Sequence, residues 1–207
     1  MSFTNAYRGI KKIFAAELMI LIATLATYAI SGLNATSPGK YVEVFGIVGI
    51  AAGVLLIIAF ILNLVGLIQA RKDESNFTVA LVLTLISIAL TAVVTALPDN
   101  KLLADYGDPA SNLLRLLTAF FVIQGVIAIA RKLGKKNMVS RGKNIITLVV
   151  GIWFVVIALE VVLTILGSNE TLTTIAGIIG IAALVALVIV YFLYLSYLGK
   201  AKTMLEK

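Results

Sequence analysis

Six apolar segments, each long enough to cross a bilayer, divide this chain, and short polar connections separate them. The hydrocarbon core is about 30 Å thick and a helix rises about 1.5 Å per residue, so about 20 mainly apolar residues span it. The segments are 13–33, 42–70, 79–97, 113–130, 145–167 and 172–198. Glycine, proline, asparagine, serine or charged residues bound each one. Pro38, Pro98 and Pro109 are all expected in connections, where no helical hydrogen bond is lost. No connection exceeds about 15 residues, which leaves no room for a folded domain outside the membrane. The expected fold class is all-α: a polytopic integral membrane protein of six transmembrane helices, forming one domain over residues 1–207.

Composition agrees. The chain is 61% hydrophobic and 13% charged, with a mean hydropathy of +1.09. Soluble domains run about 45–50% apolar and about 25% charged.

The charges give a direction. Seventeen basic residues face ten acidic ones. Arg8, Lys11 and Lys12 precede the first segment, and Arg71 and Lys72 follow the second. Arg131, Lys132, Lys135, Lys136, Arg141 and Lys143 follow the fourth. Lys200, Lys202 and Lys207 form the tail, so fourteen of the seventeen collect on one side. The positive-inside rule then places both termini in the cytoplasm of a multi-pass protein. A prokaryotic plasma membrane is the expected location. The excess of seven positive charges is spent on orientation, so no nucleic-acid partner is expected. The six basic residues from Arg131 to Lys143 are expected to attract anionic lipid headgroups. The first apolar run is too long for a typical signal-peptide core and reads as a retained helix. Phe3, Tyr7, Ile10 and Phe14 share one helical face, so residues 1–12 read either as an interfacial helix or as a frayed end.

The chain has no histidine and no cysteine. Disulfides, thiolate nucleophiles, histidine-ligated haem and Ser–His pairs are thereby excluded. No phosphate-binding glycine loop is present. The expectation is a non-enzyme with no cofactor and no metal.

Two segments resemble each other. Gly46-Ile47-Val48-Gly49-Ile50-Ala51-Ala52 aligns with Gly177-Ile178-Ile179-Gly180-Ile181-Ala182-Ala183. Three tandem helical hairpins are the simplest organisation, whether as a duplicated packing unit or as a transporter repeat. Gly49, Gly53 and Gly180 give small surfaces suited to close helix contact, so a homo-oligomer or a membrane-protein partner is expected there.

Ionisable groups inside a membrane are expensive and are the first functional candidates. Glu160 is the deepest acid, Glu17 lies about one turn into the first segment, and Arg115 starts the fourth. Pairing of Glu160 with Arg115 is expected, because an isolated carboxylate at that depth stays protonated or costs several kcal/mol. Asn63 and Gln124 each need a polar partner, or contact a ligand. Thr84, Ser87, Thr91 and Thr95 form a hydroxyl row on the third segment, read as packing or as a polar path.

Two functions follow. The first is a structural, accessory or partner-binding membrane subunit without catalytic chemistry. The alternative is a small-solute transporter or substrate-binding subunit using an intramembrane carboxylate. In size and topology alone, the chain resembles the substrate-capture subunits of energy-coupling-factor transporters. The AxxxA contact of their first helix is not clear around Ala15 to Ala29, and the family is not assigned.

Overall fold

A computed structural model describes residues 3–36, 42–97, 100–166 and 170–206. Six helices follow in order: α1 (Thr4–Thr36), α2 (Val42–Ala70), α3 (Asn76–Ala96), α4 (Lys101–Lys132), α5 (Lys136–Leu166) and α6 (Glu170–Leu205). All six are long and apolar enough to cross a membrane. The chain is therefore an all-helical, six-span, multi-pass membrane protein.

It divides into two compact units. The first holds residues 1–125 together with 198–207, and the second holds 126–197. In the first unit, α1 packs most closely on α2. Ala6, Ile10, Ile13 and Ala16 recur at helical spacing along α1 and are fully buried. Ala59, Leu67 and Ala70 of α2 are also fully buried. The helices touch backbone to backbone where Gly9 meets Gly66. A Cβ on Gly9 would lie 2.5 Å from the Gly66 carbonyl oxygen and 2.7 Å from the Ala70 nitrogen. Lipid is as apolar as leucine, so close contact rather than water exclusion draws membrane helices together. Small residues permit that contact.

This crossing lies apart from the small-residue surfaces at Gly49, Gly53 and Gly180, where an oligomer or partner contact is expected. Among the described residues, nothing lies within 4 Å of the Cβ position at Gly46, Gly49 or Gly53, nor at Gly177 or Gly180 of α6. The small-residue surfaces seen in sequence are not the ones at which α1 and α2 close.

Residues 4–12 are the first turns of α1 itself, continuous with its membrane segment. The turn between α2 and α3 holds this end of α1. The Ala6 backbone N–H donates to Asp73 Oδ2 at 2.7 Å. The Asn5 amide donates to Asp73 Oδ1 at 3.1 Å. A helix leaves its first four N–H groups without internal partners and carries partial positive charge there. The α1 sequence supplies no acid in its first turn, and the Asp73 carboxylate fills that role from 67 residues away. The end of α6 joins the same region. Tyr7 donates its hydroxyl to Glu206 at 3.2 Å, and Lys202 lies 5.6 Å from the centre of the Phe14 ring.

Pro109 corrects the sequence expectation. It falls inside α4, not in a connection. The apolar span begins at Pro109, and residues 101–108 extend the helix ahead of it. Proline removes the hydrogen bond to the carbonyl four residues earlier and crowds that carbonyl with its ring. At the start of an apolar span, that carbonyl can be hydrated.

The basic connection is also shorter than expected. α4 ends at Lys132, and the turn after it contains Gly134, whose φ is +68°. The Lys135 N–H then reaches back to the Ala130 carbonyl at 2.8 Å, the wrap that a left-handed glycine permits. α5 begins at Lys136, so most of the basic residues sit on helix ends.

In the second unit, α5 approaches α4 and α6 at Gly142. A Cβ there would lie 2.5 Å from the Tyr197 hydroxyl and 2.6 Å from Ile127 Cγ1. The Tyr197 hydroxyl is buried and has no hydrogen-bond partner among the described residues. Tyr197→Phe is expected to raise stability by about 1 kcal/mol, because an unpartnered buried hydroxyl carries a desolvation cost. It is also expected to soften the penalty of Gly142→Ala. Denaturant titration of both single variants and the double variant checks this, and strictly additive effects would contradict the shared contact.

Candidate functional site

Near the far end of α3 from Phe77, a cavity of about 360 Å³ opens against α4. Thr91, Val94 and Thr95 of α3 line it with Ser111, Asn112 and Arg115 of α4. Helical spacing builds both walls. Thr91 and Thr95 are one turn apart on α3, as are Ser111 and Arg115 on α4. Asn112 lies three residues before Arg115 and shares its side of the helix. Gly107 lets the two helices close beside the cavity, since a Cβ there would meet Val94 Cγ2 at 2.5 Å. At the other end of the pair, Gly125 abuts the Phe77 ring.

The hydroxyls are already partly committed. Thr91 donates to the Ser87 carbonyl at 2.9 Å, and Thr95 donates to the Thr91 carbonyl at 2.8 Å. Thr84 does the same to Ala80. Among these threonines the predicted hydroxyl row is therefore bonded first to its own helix. What remains for a ligand is hydroxyl lone pairs. Ser111 is buried, whereas Asn112 and Arg115 are exposed to the cavity mouth. Arg115 makes no ion pair among the described residues.

The other sequence candidates are dispersed. The Glu160 side chain lies outside the described residues, and so does its expected pairing with Arg115. Glu17 is half-buried on α1 and already held in a polar interaction. Asn63 is half-buried on α2, and its side-chain oxygen has no hydrogen-bond partner among the described residues. Gln124 is half-buried on α4, nine residues or about 13 Å along the helix from Arg115. Among the described candidates, only Arg115 enters the cavity, where it joins Thr91 and Thr95. Sequence reasoning missed Ser111 and Asn112, because residues 98–112 read as a connection. Their spacing to Arg115, at four and three residues, was the available signal. No group of acidic side chains suited to a metal occurs among the described residues.

No protein-family model, no curated protein and no solved structure matches this chain.

Proposed function

We propose that this chain is a non-catalytic membrane subunit that works by assembling with other membrane helices, its own copies or a partner's. The observation supporting this reading is the open state of the glycine faces. Gly46 and Gly49 on α2, and Gly177 and Gly180 on α6, have no neighbouring atom among the described residues within 4 Å of a Cβ position. Small residues on membrane helices favour close approach by another helix, and here the described residues supply none. Both termini on the cytoplasmic side of a prokaryotic plasma membrane, with anionic headgroups at Arg131 to Lys143, complete the proposal.

The absence of native cysteine makes the test clean. Ile50 is 72% exposed and Ile181 is 67% exposed beside these faces. Single cysteines at either position are expected to give cross-linked species above the monomer mass when native membranes are oxidised. Gly49→Leu is expected to abolish the species formed through Ile50→Cys without lowering the unfolding midpoint of the monomer, since no described residue lies within 4 Å of the new Cβ. A protein that stays monomeric in both single-cysteine variants would sink the proposal.

A second reading, a solute-binding or transport subunit, is supported by the polar cavity around Arg115. Pockets of roughly 300 Å³ or more suit small ligands.

A further inference from the structure

Resting on the solute-binding reading, we propose that the α3–α4 cavity binds a phosphate-class oxyanion that carries hydroxyl groups of its own. Arg115 lies six residues into the apolar span that starts at Pro109. That places its backbone about 9 Å past the start of the span. A cation at such a depth is costly unless it is paired or reaches water or a headgroup. Among the described residues it is unpaired, and it opens onto a cavity of about 360 Å³.

The lining selects the ligand class. Guanidinium presents a planar fork of donors that matches phosphate and carboxylate oxygens in pairs. Asn112 and Ser111 add groups that both donate and accept. Thr91 and Thr95 have committed their hydrogens to their own helix, so they offer lone pairs to a ligand. A bare anion satisfies the guanidinium but leaves these acceptors facing more negative oxygens. A phosphate ester bearing hydroxyls answers both walls, with its oxyanion on α4 and its hydroxyls on α3. Both sn-glycerol 3-phosphate in solution and the headgroup of phosphatidylglycerol have this chemistry.

The test is thermal unfolding of the purified full chain. In neutral detergent the probes are inorganic phosphate, sn-glycerol 3-phosphate and glycerol. In lipid nanodiscs, phosphatidylcholine alone is compared with phosphatidylcholine plus phosphatidylglycerol. sn-Glycerol 3-phosphate or phosphatidylglycerol is expected to raise the midpoint of the wild type. Arg115→Gln is expected to weaken that response at least about tenfold in probe concentration, and Arg115→Lys to weaken it less. Should Arg115→Gln fail to fold without ligand, Arg115→Lys carries the comparison. Thr91→Val then adds a second arm, weakening sn-glycerol 3-phosphate more than inorganic phosphate. A response in detergent assigns a free solute, and a response confined to phosphatidylglycerol discs assigns a lipid headgroup. Both sustain the oxyanion site. Equal responses in the wild type and the Arg115 variants overturn it. Stabilisation by glycerol alone overturns the oxyanion but leaves solute binding standing. Silence from every probe in the wild type removes both.

Discussion

Gly9→Ala is expected to lower the stability of the protein by about 3 kcal/mol, at the upper end of the usual cost of overpacking. One methyl group suffices because of what it meets. The new Cβ would stand 2.5 Å from the Gly66 carbonyl oxygen and 2.7 Å from the Ala70 nitrogen. Both are backbone atoms, which cannot rotate aside as a flexible side chain can. Relief requires α1 and α2 to separate. Separation loosens Ala6, Ile10, Ile13, Leu67 and Ala70, all now fully buried. Gly66→Ala is expected to cost somewhat less. Its first contact is Ile13 Cγ1 at 2.7 Å, which can yield, before the Gly9 carbonyl oxygen at 2.8 Å. Gly49→Ala provides the control in the monomeric chain, because it meets no described residue and gains up to about 1 kcal/mol of helix propensity. Unfolding of the three variants in mixed detergent orders them. If Gly9→Ala and Gly49→Ala unfold at the same denaturant concentration, the proposed crossing point is wrong.

Asp73→Ala is expected to be the next most damaging change, at about 2 kcal/mol. The carboxylate accepts from the Ala6 N–H and the Asn5 amide at once. Charged acceptors make such bonds roughly twice as strong as neutral ones. Removing it strips the start of α1 of a partner and of a compensating negative charge. Asp73→Asn keeps one acceptor and loses the charge, so about 1 kcal/mol is expected. Asn5→Ala removes one bond and leaves the backbone cap intact, so its effect should be smallest. Hydrogen exchange supplies a local readout. The Ala6 amide should lose protection in Asp73→Ala while amides near Ala59 keep theirs. Uniform loss along α1 and α2 would instead mean that Asp73 acts on the whole pair.

The six spans were legible because lipid imposes one simple demand. Continuous apolar runs of sufficient length are visible without knowing any contact, and α2 spans the same residues, 42–70, in sequence and structure. Contacts were harder to foresee. Gly49 and Gly53 have the familiar small-residue spacing, whereas Gly9 and Gly66 each stand alone and become informative only when facing each other. The Asp73 cap was invisible because its partners are 67 and 68 residues away. In the cavity, Arg115, Thr91 and Thr95 stood out as polar groups in apolar runs. Ser111 and Asn112 did not, because polar residues in a supposed connection are unremarkable. Pro109 encouraged that error by suggesting a break where the helix continues.

The anchoring of α1 has a consequence for biogenesis. The Gly9–Gly66 crossing and the Asp73 cap need nothing beyond the turn after α2, so a nascent chain of about 75 residues already carries them. Synthesis at about 5–20 residues per second gives this pair a head start of several seconds over the C-terminal residues. The Tyr7–Glu206 bond joins residues 199 apart and forms only after residue 206 has been made. A chain truncated before Lys202 therefore keeps its first hairpin but leaves Phe14 and Tyr7 without their late partners.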